Sequence, residues 1–292
     1  FADRTKIVRP VVRVGLVGKY TDLSDSYLSV IEAVKHAAIA NSVQTEVMPI
    51  DSEHLSMPLL QSVHAVIVPG GFGRRGAEGK IRAIQWVREN NVPFLGICLG
   101  LQCAVIEASR HLARLDGADS EEFDSDTPYP VIAFLPDQRK VNRKGGTMRL
   151  GAYDAVMNPE SRISRLYGWG EGKDIIDFPS LEALDRLKPV ELVTERHRHR
   201  YEVNPQYHDA LKQAGLIFAG TSSDGSLVEF IELPREIHPY FVGTQAHPEF
   251  KSRPNKAHPL FAGLVRAGVD LLQQRIRLRS LHQGTSLPLF YE

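Results

Sequence analysis

The chain has 292 residues, 42% of them hydrophobic and 24% charged, which is room for one large domain or two small ones of ordinary globular composition. Lysine plus arginine and aspartate plus glutamate balance at 35 each, so no global field points to nucleic acid or to a charged membrane surface. No apolar run approaches the roughly 20 residues that span a bilayer, and the opening residues do not read as a signal peptide.

Residues 1–10 read as a linker remnant, and because the chain opens on Phe1 rather than Met it is expected to be a piece of something longer. Residues 11–17 (V-V-R-V-G-L-V) read as a β-branched strand. After the turn G-K-Y-T-D, Asp25 or Ser26 is placed to cap a helix to about Ala40, with Val30, Ile31, Val34, Ala37 and Ala38 on one face. Residues 43–50 form a second strand and residues 63–68 a third, which runs straight into P-G-G-F-G-R-R-G. A helix over 78–90 leads to V-P-F-L-G, a short buried strand, and another helix follows from Leu101 to His111. Strands alternating with helices predict βαβ units and a mostly parallel sheet, with functional loops at the carboxyl ends of its strands.

Beyond Leu115 the pattern loosens. Residues 116–130 are acidic and turn-rich, residues 131–135 read as a strand, and residues 140–151 (K-V-N-R-K-G-G-T-M-R-L-G) as a basic, glycine-bearing loop. Residues 168–189 read as a surface insertion. E-R-H-R-H-R-Y-E-V-N follows at 195–204, then a short helix over 206–214 and strands over 216–220, 227–232 and 240–245. The turn S-S-D-G-S between the first two of these strands marks a hairpin, so this half of the sheet is partly antiparallel. A helix over 259–274 closes the domain, and the tail with R-I-R-L-R is expected to fray. The pattern predicts an α/β fold: a single three-layer domain over residues 11–275, followed by a tail over 276–292. Its mostly parallel central sheet is flanked by helices and carries an antiparallel portion in the C-terminal half.

Cys98 stands at the apex between the buried strand and its helix, with Gly96 and Gly100 two residues to either side. Small neighbours permit a tight strand–turn–helix elbow, which exposes a nucleophile at a helix N-terminus where the dipole favours thiolate. The alternative is a small buried hydrophobe; G-x-C-x-G by itself leaves both readings open. Cys103, the other cysteine, lies five positions on, and helical spacing would separate the two Cα atoms by about 8 Å, too far for a disulfide. No second cysteine pair or tight histidine cluster completes a zinc site, so no metal is expected. Free thiols fit a reducing, cytoplasmic setting. At 243–250, G-T-Q-A-H-P-E-F delivers His247 from an apolar strand, with Glu249 two residues on. In an extended segment both would point to one side, so the carboxylate can hold one imidazole nitrogen and leave the other for a thiol. A histidine that merely caps the strand is the alternative, but cysteine, histidine and glutamate together are what nucleophilic acyl transfer requires.

G-I-C-L-G-L-Q, H-P-E and P-G-G-F-G in one βαβ chain resemble the class I (triad) glutamine amidotransferases. G-G-T-M-R-L-G at 145–151 and E-R-H-R-H-R-Y-E-V-N at 195–204 narrow the choice. With K-I-V-R-P and G-L-V-G-K-Y near the start, they resemble the glutaminase domain of the CTP synthase family, from about Lys6 to the last helix. The resemblance implies a class I glutamine amidotransferase-like fold and a cysteine that attacks the side-chain amide of L-glutamine. Ammonia leaves, water releases glutamate, and the ammonia aminates UTP to CTP in a separate N-terminal synthetase domain. ATP, UTP and Mg would belong to that domain; this chain has no G-x-x-x-x-G-K-[ST] phosphate loop and no cofactor of its own is expected.

Carried over position by position, the resemblance makes Cys98 the nucleophile, His247 the general base and acid, and Glu249 its orienter. The N–H groups of Gly71 and Leu99 would form the oxyanion hole. Gly71, Phe72, Leu99, Gln102, Glu122, Arg200 and Tyr201 would bind glutamine, with Glu122 on the ammonium and Arg200 on the α-carboxylate. A free amino acid needs one acid and one base away from its reacting amide, which agrees. GTP is implied as an allosteric activator, with Arg149 as its contact. R-H-R-H-R as a nucleic-acid patch is disfavoured by the zero net charge and by the absence of an aromatic residue before Tyr201. Two other readings remain: a triad glutaminase serving a different ammonia acceptor, and a non-catalytic glutamine-binding or assembly module. The two narrowing motifs speak against the first, and the intact Cys98, His247 and Glu249 against the second.

Overall fold

Runs of valine, isoleucine and leucine build the centre of the molecule, whose computed structural model describes residues 10–19, 24–134, 148–169 and 177–283. Four early strands, β1 (Val11–Gly18), β2 (Gln44–Asp51), β3 (Ala65–Val68) and β4 (Phe94–Ile97), are joined by a late one, β12 (Phe241–Thr244). They pair in the order β2-β1-β3-β4-β12, all parallel. Every residue of β3, β4 and β12 is buried, as a parallel sheet covered on both faces requires.

Past β12 the same sheet turns antiparallel through β11 (Val228–Glu232), β10 (Ile217–Thr221), β7 (Arg149–Met157) and β8 (Leu192–His199). A small second sheet, which the sequence did not suggest, pairs β5 (Ala118–Ser120), β6 (Tyr129–Ala133) and β9 (Glu202–Val203). Of its strands the sequence marked β6, as the strand expected over 131–135; β5 and β9, of three and two residues, are too short to leave a periodic signal.

The helices are α1 (Leu28–Ala40), α2 (Met57–Ser62), α3 (Ala77–Glu89), α4 (Leu99–His111), α5 (Arg162–Trp169), α6 (Leu181–Leu184), α7 (His208–Gln213) and α8 (Pro259–Gln283). One buried apolar cluster joins α1, α5, α6 and α8 to one sheet face, and a second joins α2, α3, α4 and α7 to the other. The predicted three layers are present.

Four local expectations change. A 3₁₀ turn, Ser24–Tyr27, precedes α1, so the helix starts at Leu28 with Tyr27, not Asp25 or Ser26, in the capping position, and Tyr27 makes no side-chain cap hydrogen bond. Residues 276–283 of the predicted frayed tail continue α8; Arg275 anchors that end by donating from Nη1 to the Val63 carbonyl at 2.8 Å. The ends of the predicted surface insertion are docked rather than free. Trp169 and Phe178 are buried with their rings 4.7 Å apart, and the Phe178 N–H donates to the Ala40 carbonyl at 2.9 Å. Of the predicted basic loop, Arg149 to Gly151 belong to β7, while residues 140–147, including Lys144, lie outside the described residues.

Candidate active site

The elbow is set by backbone approach. A Cβ on Gly100 would lie 2.0 Å from the Val68 carbonyl oxygen, and one on Gly96 would lie 2.7 Å from the Gly100 carbonyl. Only glycine lets β3, β4 and α4 come this close. Cys98 pays for the turn with φ 53° and ψ −104°, a region that non-glycine residues avoid. The Cys98 N–H donates to the Thr244 carbonyl at 2.7 Å, and its own carbonyl accepts from the Gln102 N–H at 3.2 Å, so the strained residue is fastened on both sides. Its sulfur sits at the N-terminus of α4, where the helix dipole favours an anion. Cys103 is wholly enclosed, and burial pushes its thiol up to about 12, which leaves it protonated and unreactive.

β12 ends at Thr244 and the chain then delivers His247, whose N–H donates to the Arg196 carbonyl at 2.8 Å. Residues Pro248–Phe250 form a 3₁₀ turn rather than the expected extended segment. The turn brings Glu249 Oε1 to 2.7 Å from His247 Nδ1, and the Phe250 ring stacks on the imidazole at 5.4 Å between centroids. With Nδ1–H held by the carboxylate, Nε2 is left for chemistry. No hydrogen bond of ordinary length joins Nε2 to the Cys98 sulfur, yet the two are near enough for the sulfur to act on the ring. Gly70 clears the space between them: a Cβ there would lie 2.8 Å from His247 Cε1 and 3.5 Å from Cys98 Cβ. Burial alone would lower His247, but the Cys98 sulfur and the Glu249 carboxylate outweigh it and push the imidazole up to about 10. An imidazole raised in this way holds a proton more readily than a free one, and Nε2 is where that proton can pass to a leaving group.

A cavity of about 180 Å³ opens over this group, with Gly70, Gly71, Phe72, Arg198 and Tyr27 in its walls. Gly71 lies against Leu99: a Cβ on it would come 3.4 Å from Leu99 Cδ2. Glu122 accepts the Gly73 N–H at 2.7 Å and so ties its own segment to the glycine loop, while the Phe72 carbonyl accepts from Lys19 Nζ. Gln102 is buried one turn into α4; its Nε2 donates to the Tyr201 carbonyl at 3.0 Å and to Gln245 Oε1 at 3.3 Å. Arg200 is exposed just past β8, and Tyr201 is half-buried beside it. Arg149 stands apart from all of these, with its guanidinium between Glu202 and Glu229.

β8 is the functional element that the sequence reading did not place. Its burial alternates residue by residue: Val193, Glu195, His197 and His199 point inward, and Thr194, Arg196 and Arg198 outward. Its backbone serves both reacting groups, since the Arg196 carbonyl holds His247 and the Arg198 carbonyl lies 4.0 Å from the Cys98 sulfur. The strict alternation of arginine with histidine in R-H-R-H-R is the period-two signal that marks such a strand. Burial keeps both histidines neutral, pushing His197 down to about 3 and His199 well below its usual value.

The family model described as glutamine amidotransferase class-I matches residues 22–267. The CTP synthase of Methanococcus maripaludis is 50% identical over 277 residues, covering 91% of this chain and 48% of that protein. The CTP synthase of Acidothermus cellulolyticus is 50% identical over 267 residues, covering 88% of this chain and 44% of that one. The chain thus spans about half the length of the curated relatives it matches. Among solved structures, the glutaminase domain of Trypanosoma brucei CTPS with bound acivicin is similar at a TM-score of 0.75 and 34% identity, over 89% of this chain and 94% of that one. With the family model spanning most of the sequence and that domain matched along nearly its whole length, the chain belongs to the class I glutamine amidotransferases, as a glutaminase domain of the CTP synthase family.

Proposed function

We propose that Cys98, His247 and Glu249 hydrolyse L-glutamine to glutamate and ammonia, and that the ammonia serves ATP-dependent amination of UTP to CTP by an N-terminal synthetase domain. The observation that carries this reading is a strained cysteine at a helix N-terminus facing a histidine whose far nitrogen is held 2.7 Å from a carboxylate. The sulfur attacks the amide carbon of glutamine, and the N–H groups of Gly71 and Leu99 receive the oxyanion. Collapse breaks the C–N bond while His247 gives its Nε2 proton to the departing nitrogen, so ammonia leaves and a thioester remains. Water then attacks the thioester, neutral His247 takes its proton, and glutamate leaves as the sulfur is restored. Glu122 would release the Gly73 N–H to take the substrate ammonium, and Arg200 would take the α-carboxylate. Phe72, Gln102 and Tyr201 would complete the pocket.

GTP as an activator is better served by surface arginines than by the engaged Arg149. An open groove of about 520 Å³ lined by Leu150, Gly151, Arg196, His197, Arg198 and Phe250 offers two cations beside apolar ground, which suits phosphates and a base. It shares Arg198 and Phe250 with the catalytic cavity, so a ligand there would touch both. ATP, UTP and Mg are assigned to the synthetase domain, and a cytoplasmic setting fits two cysteines that remain free thiols; no described helix is long and apolar enough to cross a membrane. Glutamate release by this chain tests the reading: hydrolysis should be measurable and vanish in Cys98→Ala. Activity surviving Cys98→Ala would refute it.

A further inference from the structure

Arg149 is half-buried at the start of β7, with its side chain turned inward. Its side chain is 12% exposed and its guanidinium forks, Nη1 donating to Glu202 Oε1 at 3.2 Å and Nη2 to Glu229 Oε1 at 2.8 Å. The Tyr153 ring covers it at 4.6 Å. Both acids are buried, and the second oxygen of each makes no hydrogen bond. Burial pushes both carboxyls up, Glu202 to about 8, against the pull of the arginine. His197 and His199 beside them are held neutral, so the arginine is the cation that lets two acids share this space.

The two acids stand behind different halves of the active site. Glu202 follows directly on Arg200 and Tyr201, whose corner is also fixed by the Tyr201 carbonyl, which accepts from Gln102 Nε2 at 3.0 Å and His199 Nδ1 at 3.2 Å. Glu229 lies behind the base: its carbonyl accepts the Gln245 N–H at 2.9 Å, two residues before His247. The fork of one guanidinium therefore spans from the substrate corner to the loop that carries the base. A lysine, a single point of charge, would not reproduce that span.

We propose that Arg149 is a positioning residue for glutamine hydrolysis, fixing the Arg200–Tyr201 corner relative to His247 through Glu202 and Glu229, with no nucleotide required. The inference rests on the glutaminase reading above. It is tested on this chain without GTP, with two reagents for the same sulfur: acivicin, the cysteine-directed inhibitor bound in the trypanosomal domain, and iodoacetamide, which needs no amino-acid pocket. Arg149→Met should slow acivicin inactivation and raise the glutamine KM by about tenfold or more, the scale on which supporting groups act, while iodoacetamide labelling changes little. Arg149→Lys should fall between. Because Arg149→Met leaves the buried Glu229 carboxylate without its cation, Arg149→Met/Glu229→Gln is run beside it, and should recover melting temperature without recovering the acivicin rate. An unchanged acivicin rate and KM, with a defect appearing only on adding GTP, would overturn the proposal in favour of a surface effector contact. Equal loss towards both reagents in the double variant would overturn it in favour of a general packing role. Wild-type chain that reacts with iodoacetamide but never with acivicin would instead overturn the glutaminase reading, and this proposal with it.

Discussion

In the parallel half of the sheet, the residues around Cys98 are set by backbone atoms that come within touching distance across β3, β4 and α4. In the antiparallel ribbon of β7 and β8, the residues are set by buried polar side chains that meet from β7, β8, β9 and β11 around the one guanidinium of Arg149. The first kind of constraint acts over a few positions and dictates residue identity outright, because no side chain larger than hydrogen fits at Gly100. The second is satisfied by partners 53 and 80 residues away in sequence, and any one of them makes sense only in the presence of the others. A steric constraint should therefore fail completely when broken, and a charge network should yield by degrees.

The largest effect is expected at Gly100→Ala, where the added methyl would meet the Val68 carbonyl at 2.0 Å. Hydrolysis should disappear, and a thermal melt should show destabilisation of about 3 kcal/mol or more, since the obstacle is backbone. Survival of activity would mean that the elbow has slack the glycine contacts deny.

Next comes Glu249→Gln. It should lower kcat by about 100- to 10,000-fold with little change in KM, because it releases the imidazole without touching the substrate pocket. It should also move the alkaline limb of the pH profile. His247 is raised from 6.5 to about 10, so its proton, and the stabilisation that goes with it, is fully present below about 6.5 and lost as pH rises through about 10. Removing the carboxylate should bring that loss to lower pH. A profile that does not move would detach Glu249 from His247.

The smallest effect is expected in the ribbon at Glu202→Gln. Burial raises this carboxyl to about 8, so at neutral pH the amide replaces a largely uncharged group and keeps an oxygen for Arg149. Stability should change by about 1 kcal/mol or less at pH 7, as read from a denaturant titration. A much larger loss would mean that Glu202 is held as an anion, and the two regions would then be less different than their contacts suggest.

The same contrast explains what was legible beforehand. The glycines flanking Cys98, the glycine loop and H-P-E all sit next to the residues they serve, so a short stretch of sequence carries the geometry. The parallel strands were visible for a similar reason: burial on both faces turns them into apolar runs. Glu249 was paired with His247 for a reason that needed revision, since a 3₁₀ turn rather than an extended segment brings them together. Arg149 and β8 were hidden. An arginine in a basic, glycine-bearing stretch looks like a surface contact, and nothing local reveals that Glu202 and Glu229 will close on it. The alternation in R-H-R-H-R was present but read as ligand chemistry rather than as a strand edge.

The difference between Cys98 and Cys103 offers the most direct test of the site. Both belong to the elbow and its helix, but one lies at the strained apex beside His247 and the other is enclosed with its thiol pushed up to about 12. Peptide mapping by mass spectrometry after treatment with acivicin at neutral pH should find a single adduct, on Cys98, and none in His247→Ala over the same time. An adduct on Cys103, or undiminished labelling of Cys98 without His247, would contradict the catalytic group described here.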